Sequence, residues 1–385
     1  RTPLDREVEV KLTATYYAGG RVSERPVNWR VTQFPYAWSP EGRPGFFFSS
    51  DGRFSGVGRF ESTPRQERQD RTDEGGTATL VVNPTIEPTA QPRTYVVEAT
   101  VTGPDDQTVT STRRVVALPP FVLGLKVPRY IEHARSIDPQ ILVLDHASKP
   151  LAGLPVTVRL LQRQWHSVLR ESDFSSGEAR YLTDVVDVKV MEKKLESAAE
   201  VITLSLPVEQ AGVYIVELEA HDRLGRAQVV SVDLYAGGDE PVAWPKPSTP
   251  VFSVASDKLS YDPGETAALV LESPFLEAEA LAIVEAPEGN EIQWIQIRNG
   301  AATFHLPIRG VYTPRVPVHF VLMRGRPSGS APQAGSTTDL GKPTTMASTT
   351  WIKVNPIDNR AEVKITAPEK GRPGEKIDIK IRLSD

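Results

Sequence analysis

The residues 211–236, AGVYIVELEAHDRLGRAQVVSVDLYA, constrain the fold more than any other stretch. Tyr214, Val216, Leu218 and Ala220 fall on one face of an extended chain, and Val213, Ile215, Glu217 and Glu219 fall on the other. A period of two is the signature of a strand. Asp222-Arg223-Leu224-Gly225 supplies a turn, with a glycine free to take positive φ. Val230, Val232 and Leu234 then alternate on the way back. The same pattern stands earlier, at 94–117, TYVVEATVTGPDDQTVTSTRRVVA, where Tyr95, Val97 and Glu98 correspond to Tyr214, Val216 and Glu217. A hairpin written twice implies a chain built by repetition, with a unit of roughly 110–120 residues, the size of one β-sandwich. Such a unit buries enough surface for its own core.

The rest of the chain fits that unit. Residues 1–118 form a first module, opened by the alternating Glu7–Ala14 and by Pro26-Val27-Asn28-Trp29-Arg30-Val31, with Trp29 as its expected core aromatic. Between Gln33 and Gly76 lies a long insertion (its aromatic part is 34–60). Its first half carries Phe34, Tyr36, Trp38, Phe46, Phe47, Phe48, Phe54 and Phe60; its second half, Thr63–Glu74, is charged and reads as an exposed loop. The aromatics are expected to cover a sheet edge or a neighbouring domain; a contact surface for carbohydrate or protein is the alternative. Pro119-Pro120 opens a second module, 119–238. Its segment 180–200 carries both helical spacing and β-branched alternation, and is read as a strand followed by a loop. Residues 239–250, DEPVAWPKPSTP, read as a Pro-rich, semi-rigid linker.

A third module spans 251–356. It has a Pro-Gly turn at Tyr261–Glu265, strands at 281–284, 293–297 and 301–306, and a closing hairpin with 318–323 going up and 351–354 coming back. Its tip, 324–350, is rich in Ser, Thr, Gly and Pro and is expected to be mobile. It holds three basic residues, Arg324, Arg326 and Lys342, and is read as the first place proteases cut. Residues 357–385 begin a further module and supply only two strands of it. The fold class is therefore all-β: tandem immunoglobulin-like antiparallel β-sandwich domains.

Little points to chemistry within these residues. The formal net charge is −5 with both signs interspersed, which argues against a nucleic-acid partner. No cysteine is present, so the chain has no disulfide, thiolate metal site or cysteine nucleophile. His133, His146, His166, His221, His305 and His319 are scattered without zinc spacing. No nucleophile elbow, phosphate loop or EF-hand is found. The acidic groups Asp105-Asp106 and Asp70/Asp73/Glu74 could bind calcium but read better as solvated turns. No catalytic residue, cofactor or metal is expected, and the chain is read as a non-enzyme. No apolar run approaches the roughly 18–20 residues of a membrane span. Starting at Arg1 without Met, it reads as a piece of a longer protein whose targeting segment lies elsewhere.

Several motifs in order carry a family resemblance. Tyr261-Asp262-Pro263-Gly264-Glu265-Thr266, Ala282-Ile283-Val284-Glu285, Val318-His319-Phe320-Val321, then Val363-Lys364-Ile365 with Arg372-Pro373-Gly374-Glu375, resemble the region of alpha-2-macroglobulins that leads into the bait segment. Pro26–Val31 with the aromatic insertion, and Gly212-Val213-Tyr214 with Asp222–Arg226, look like bacterial macroglobulin-like domains. The resemblance implies about three and a fraction macroglobulin-like sandwiches in a broad-spectrum protease trap. In that family a protease cuts the bait, the modules rearrange, and a buried Cys-Gln thioester captures the attacker. It also implies target proteases as partners, a periplasmic and lipid-anchored parent, and association with a peptidoglycan-synthesising penicillin-binding protein. Without cysteine the thioester cannot lie in this chain, and the bait is expected near or past its end. Two other readings remain at this stage: a repeat segment of a bacterial surface adhesin or stalk, and accessory domains of a polysaccharide-active enzyme with Phe46–Phe48 binding sugar.

Overall fold

The computed structural model describes residues 2–17, 19–51, 63–173, 178–246, 251–330, 339, 341–357, 361–368, 370, 374 and 376–384. The chain divides into two compact units, one of residues 1–164 with 185–238, the other of 165–184 with 239–385. Among the described residues, all regular structure beyond two single-turn 3-10 helices is strand.

In the first unit, a five-stranded sheet runs in the order Thr2–Pro3, Thr108–Leu118, Arg93–Thr102, Pro26–Pro35, Thr63–Arg71. A two-stranded sheet, Val8–Thr13 with Thr77–Val82, contributes to the same core. The alternation in Pro26–Pro35 drives Val27, Trp29 and Val31 inward, where they meet Leu80, Tyr95 and Val97. Trp29 is thus a buried aromatic of this core, beside Tyr95. Thr63–Arg71, expected as a loop, is instead a strand paired on Pro26–Pro35. It lies at the sheet edge and has no inward apolar row, so its charges conceal it from a hydrophobic pattern.

The hairpin Gly212–His221/Ala227–Ala236 pairs in unbroken register from Gly212↔Ala236 to His221↔Ala227. Tyr214, Val216, Leu218 and Ala220 are all buried, with Val158, Leu160, Val230, Val232 and Leu234 in the same core. Its turn is closed by Asp222. One carboxylate oxygen accepts from the amides of Leu224 and Arg226 (both 2.9 Å), and the other accepts from the Arg226 guanidinium at 2.7 and 2.9 Å. Gly225 sits at φ +74°, where a side chain would be strained. The segment read as strand then loop is the strand Glu178–Glu196 followed by irregular chain.

The aromatic insertion packs on the second sandwich. Trp38 and Phe48 are buried with Leu118, Val122, Leu142 and Leu144. Phe47 exchanges both backbone hydrogen bonds with Leu125 (2.8 and 2.9 Å). A Cβ on Gly124 would lie 2.7 Å from the Phe48 ring, so this strand position must be glycine for the ring to seat. Asp51 continues the attachment: its amide donates to Ser231 at 2.9 Å. Arg129 donates to the backbone oxygens of Asp51 and Asp233 and to the Asp233 carboxylate. Phe48 is thus buried and Phe47 is held under Arg129 at 4.7 Å, which removes them from the sugar-binding reading. Phe54 and Phe60 lie outside the described residues.

In the second unit, a three-stranded sheet (Ser253–Ser256, Thr266–Glu272, Ala301–Pro307) and a four-stranded sheet (Gly289–Ile297, Ala278–Ala286, Arg315–Arg324, Thr344–Lys353) share one core. Tyr261, Leu269, Leu271, Phe304, Val318, Phe320 and Leu322 fill it. The Pro-Gly turn is pinned from both sides. Gly264 takes φ +91°, and the Glu265 carboxylate accepts the Asp262 amide at 2.9 Å. The buried Tyr261 hydroxyl donates to Asp257 at 2.6 Å. Residues 242 and 244, within the stretch that reads as a linker, are buried: the Val242 amide donates to Asn299 at 2.8 Å, and Trp244 lies 5.5 Å from Trp165. Prolines around them mask this packing in the sequence. Glu362–Thr366 and Lys380–Ser384 pair as a separate two-stranded sheet with every residue exposed.

Candidate functional site

The three basic residues singled out in the sequence sit on one hairpin. Arg315–Arg324 is a central strand, hydrogen-bonded to Ala278–Ala286 on one side and to Thr344–Lys353 on the other. Its Val316, Val318, Phe320 and Leu322 face the core, which is why the strand forms. The returning strand begins at Thr344, not near Trp351 as its apolar residues suggest. Thr344, Thr345, Ala347, Thr349 and Thr350 carry no apolar alternation, yet they pair in register from Arg324↔Thr344 to Arg315↔Lys353. β-branched threonine suits a sheet edge that faces water. The tip is therefore 325–343, shorter than the 324–350 expected.

The base of that tip is tied together. The Arg324 guanidinium donates to the Lys342 carbonyl at 2.6 Å and lies 4.3 Å over the Phe275 ring. Arg326 forks onto Asp339, with Nη1–Oδ1 at 2.8 Å and Nη2–Oδ2 at 2.6 Å. Such a fork is the strongest geometry available to a charged pair. Nη1 also donates to the Ser330 carbonyl at 2.9 Å. Asp339 accepts from the Gly341 amide at 3.1 Å, and a Cβ on Gly341 would run into Ser330, so the two arms approach closely here. The Arg326 guanidinium holds the Asp339 carboxyl below its ordinary range, and Asp339 in turn raises Arg326. The Lys342 side chain is exposed. Residues 331–338 and 340 lie outside the described residues, so the mobility expected of them goes unaddressed.

The fold thus brings Arg324, Arg326 and Lys342 to one place and gives each a different environment. Sequence reasoning missed Phe275 and Asp339. Asp339 stands thirteen residues from Arg326, a spacing with no local meaning, so only the hairpin register could have paired them. Elsewhere, His319 bridges three strands of the same sheet, with Nδ1 3.0 Å from Thr349 Oγ1 and Nε2 3.2 Å from Glu285 Oε2. This is a polar ladder on an exposed face. Among the described residues, no group of three or more His, Asp or Glu side chains could hold a metal ion, and no helix is long and apolar enough to cross a membrane.

Residues 252–384 match the family model described as the alpha-2-macroglobulin bait region domain. The chain is 21% identical to an alpha-2-macroglobulin homolog of a Nostoc species, covering 98% of this chain and 20% of the relative. It is 26% identical to an alpha-2-macroglobulin homolog of Deinococcus radiodurans, covering 83% and 29%. The chain therefore spans between a fifth and a third of the curated relatives it matches. Among solved structures, native Escherichia coli alpha-2-macroglobulin superposes at TM-score 0.45 with 18% identity, covering all of this chain and 24% of that one. The trypsin-activated form superposes at TM-score 0.42 with 18% identity, covering all of this chain and 25% of that one.

Proposed function

From a chain that is similar along its length to bacterial alpha-2-macroglobulins and whose residues 252–384 match their bait region domain, we propose a scaffold segment of a broad-spectrum protease trap. The bait region match carries the reading. It falls on the sandwich that presents the 325–343 tip. The sandwiches do no chemistry themselves. They hold the cleavable and capturing parts of a longer protein in position, so that one cut releases a rearrangement of packed modules. In this reading the bait follows the described sandwiches and a Cys-x-Glu-Gln thioester stands elsewhere in the parent. The parent works in the periplasm as an anchored lipoprotein beside a penicillin-binding protein that builds peptidoglycan. The tip itself is the segment of this chain that a protease reaches first, because it is long, polar and rich in Ser, Thr, Gly and Pro.

The test uses the full-length parent. It is incubated with unrelated proteases, with and without prior methylamine, and run on a denaturing gel. High-mass adducts that methylamine abolishes are expected. Clean cleavage without adducts overturns the covalent trap, and a non-covalent trap then survives only if large protein substrates are protected while small ones are still cut.

A further inference from the structure

We infer that the base of the 325–343 tip is closed to proteases of trypsin specificity. This rests on the reading of the tip as the first segment cut. The three bonds that a trypsin-like enzyme would attack follow Arg324, Arg326 and Lys342, and each is protected by a different feature.

Two of the three precede proline: Arg326-Pro327 and Lys342-Pro343. A serine protease protonates the leaving nitrogen as the bond breaks, and its cleft is shaped for a chain with a hydrogen on that nitrogen. Proline places a ring there and fixes φ, so the peptide cannot lie in the cleft productively. The Lys342 side chain is exposed, so its bond is protected by the ring at Pro343 and by its own carbonyl, which already accepts from the Arg324 guanidinium at 2.6 Å. Arg326 has a second protection. Its guanidinium is occupied by the Asp339 fork and the Ser330 carbonyl, and those bonds must break before it can enter a specificity pocket.

The third bond, Arg324-Gly325, has no proline after it. It is guarded by the fold. A protease binds its substrate as an added strand, through main-chain hydrogen bonds. The residues leading to this bond already make those bonds on both sides: Leu322 and Met323 pair with Ala280 and Glu279, and also with Met346 and Thr345. Arg324 itself pairs with Thr344, and its side chain is spent on Phe275 and the Lys342 carbonyl. Between the protected ends the sequence from 327 to 341 holds Ser, Gly, Ala, Thr, Gln and Pro with Asp339 and Leu340, but no Lys or Arg. The charge pattern that looks most cleavable is thereby the part built to resist.

The chain is digested briefly with trypsin and, in parallel, with pancreatic elastase, and the fragments are weighed. Wild type is expected to show no trypsin cut after Arg324, Arg326 or Lys342 while the fold persists, and early elastase cuts within 325–341. Pro343→Ala should expose Lys342 and raise the trypsin rate there at least about tenfold. Pro327→Ala should open Arg326 more slowly, and Pro327→Ala with Asp339→Asn faster than Pro327→Ala alone. A wild-type trypsin cut after Arg326 or Lys342 overturns the inference. So does a cut after Arg324 as fast as in a free peptide of residues 318–350, or a Pro343→Ala chain that trypsin still spares. If elastase ignores 325–341 while Pro343→Ala is cut, the first-cut reading falls and the closed base stands.

Discussion

The hairpins Gly212–His221/Ala227–Ala236 and Arg315–Arg324/Thr344–Lys353 have stems of ten residues on each arm and the same kind of inward apolar row. They differ at the tip. The first turns within 222–226, where one buried carboxylate closes the turn onto Arg226. The second spends 325–343 before returning and uses the same pair of residue types, Arg326 and Asp339, at an exposed base. The contrast separates two duties of an arginine–aspartate fork. Buried, it makes the fold; exposed, it shapes what a passing enzyme meets. Stability is therefore expected to reside in the stems and the tight turn rather than in the exposed fork.

That separation can be broken in order of size. Phe320→Ala empties a fully buried site in the long hairpin's stem and should cost about 3–5 kcal/mol, much as Leu218→Ala should cost about 2–5 in the short one. Urea unfolding followed by fluorescence would read both, and a near-zero cost for Phe320→Ala would place the second stem outside the cooperative core. Asp222→Ala leaves a buried guanidinium facing nothing charged and should cost roughly 3–5 kcal/mol. Asp339→Ala, at the exposed base, should leave the unfolding midpoint where it is. Equal midpoint shifts for the two would erase the distinction. Gly225→Ala forces a side chain into left-handed backbone and should lose roughly 1–2 kcal/mol.

The smallest effect is a pH dependence. Asp339 has its folded pKa lowered by Arg326 relative to 3.8, so the fork is fully formed above that value and is lost locally as pH falls through the lower folded value. Amide exchange at Gly341 and Lys342 should therefore rise against the rest of the hairpin on acidification below about pH 4 and stay flat between pH 5 and 8. A rise within the neutral range would assign the tip's opening to another group.

Much of the architecture was legible because burial imposes its period on the residues. Tyr214 to Ala220, Val27 to Val31 and Val316 to Leu322 each alternate, and each is a stem or core strand. Strands that face water on a sheet edge carry no such period. Thr63–Arg71 is charged or polar but for Pro64, and Thr344–Thr350 is almost all Thr, Ser and Ala, so both pass for loops. Val242 and Trp244 were hidden by the prolines around them, because burial there depends on partners far along the chain such as Asn299. At the tip, Pro327 and Pro343 stand in plain view beside the basic residues. What the sequence lacks is the register that puts Arg324 across from Thr344, Phe275 beneath its guanidinium, and Asp339 within reach of Arg326.

The aromatic insertion has a mechanical meaning. Phe47 is bonded to Leu125, Asp51 to Ser231, and Arg129 clasps Asp51 and Asp233 together. Tension drawn along the chain through the first unit therefore bypasses the short covalent link at Pro119-Pro120 and is shared by a strap of backbone bonds running parallel to it. Under force, the two sandwiches of that unit would yield in one step, as a single stiff link.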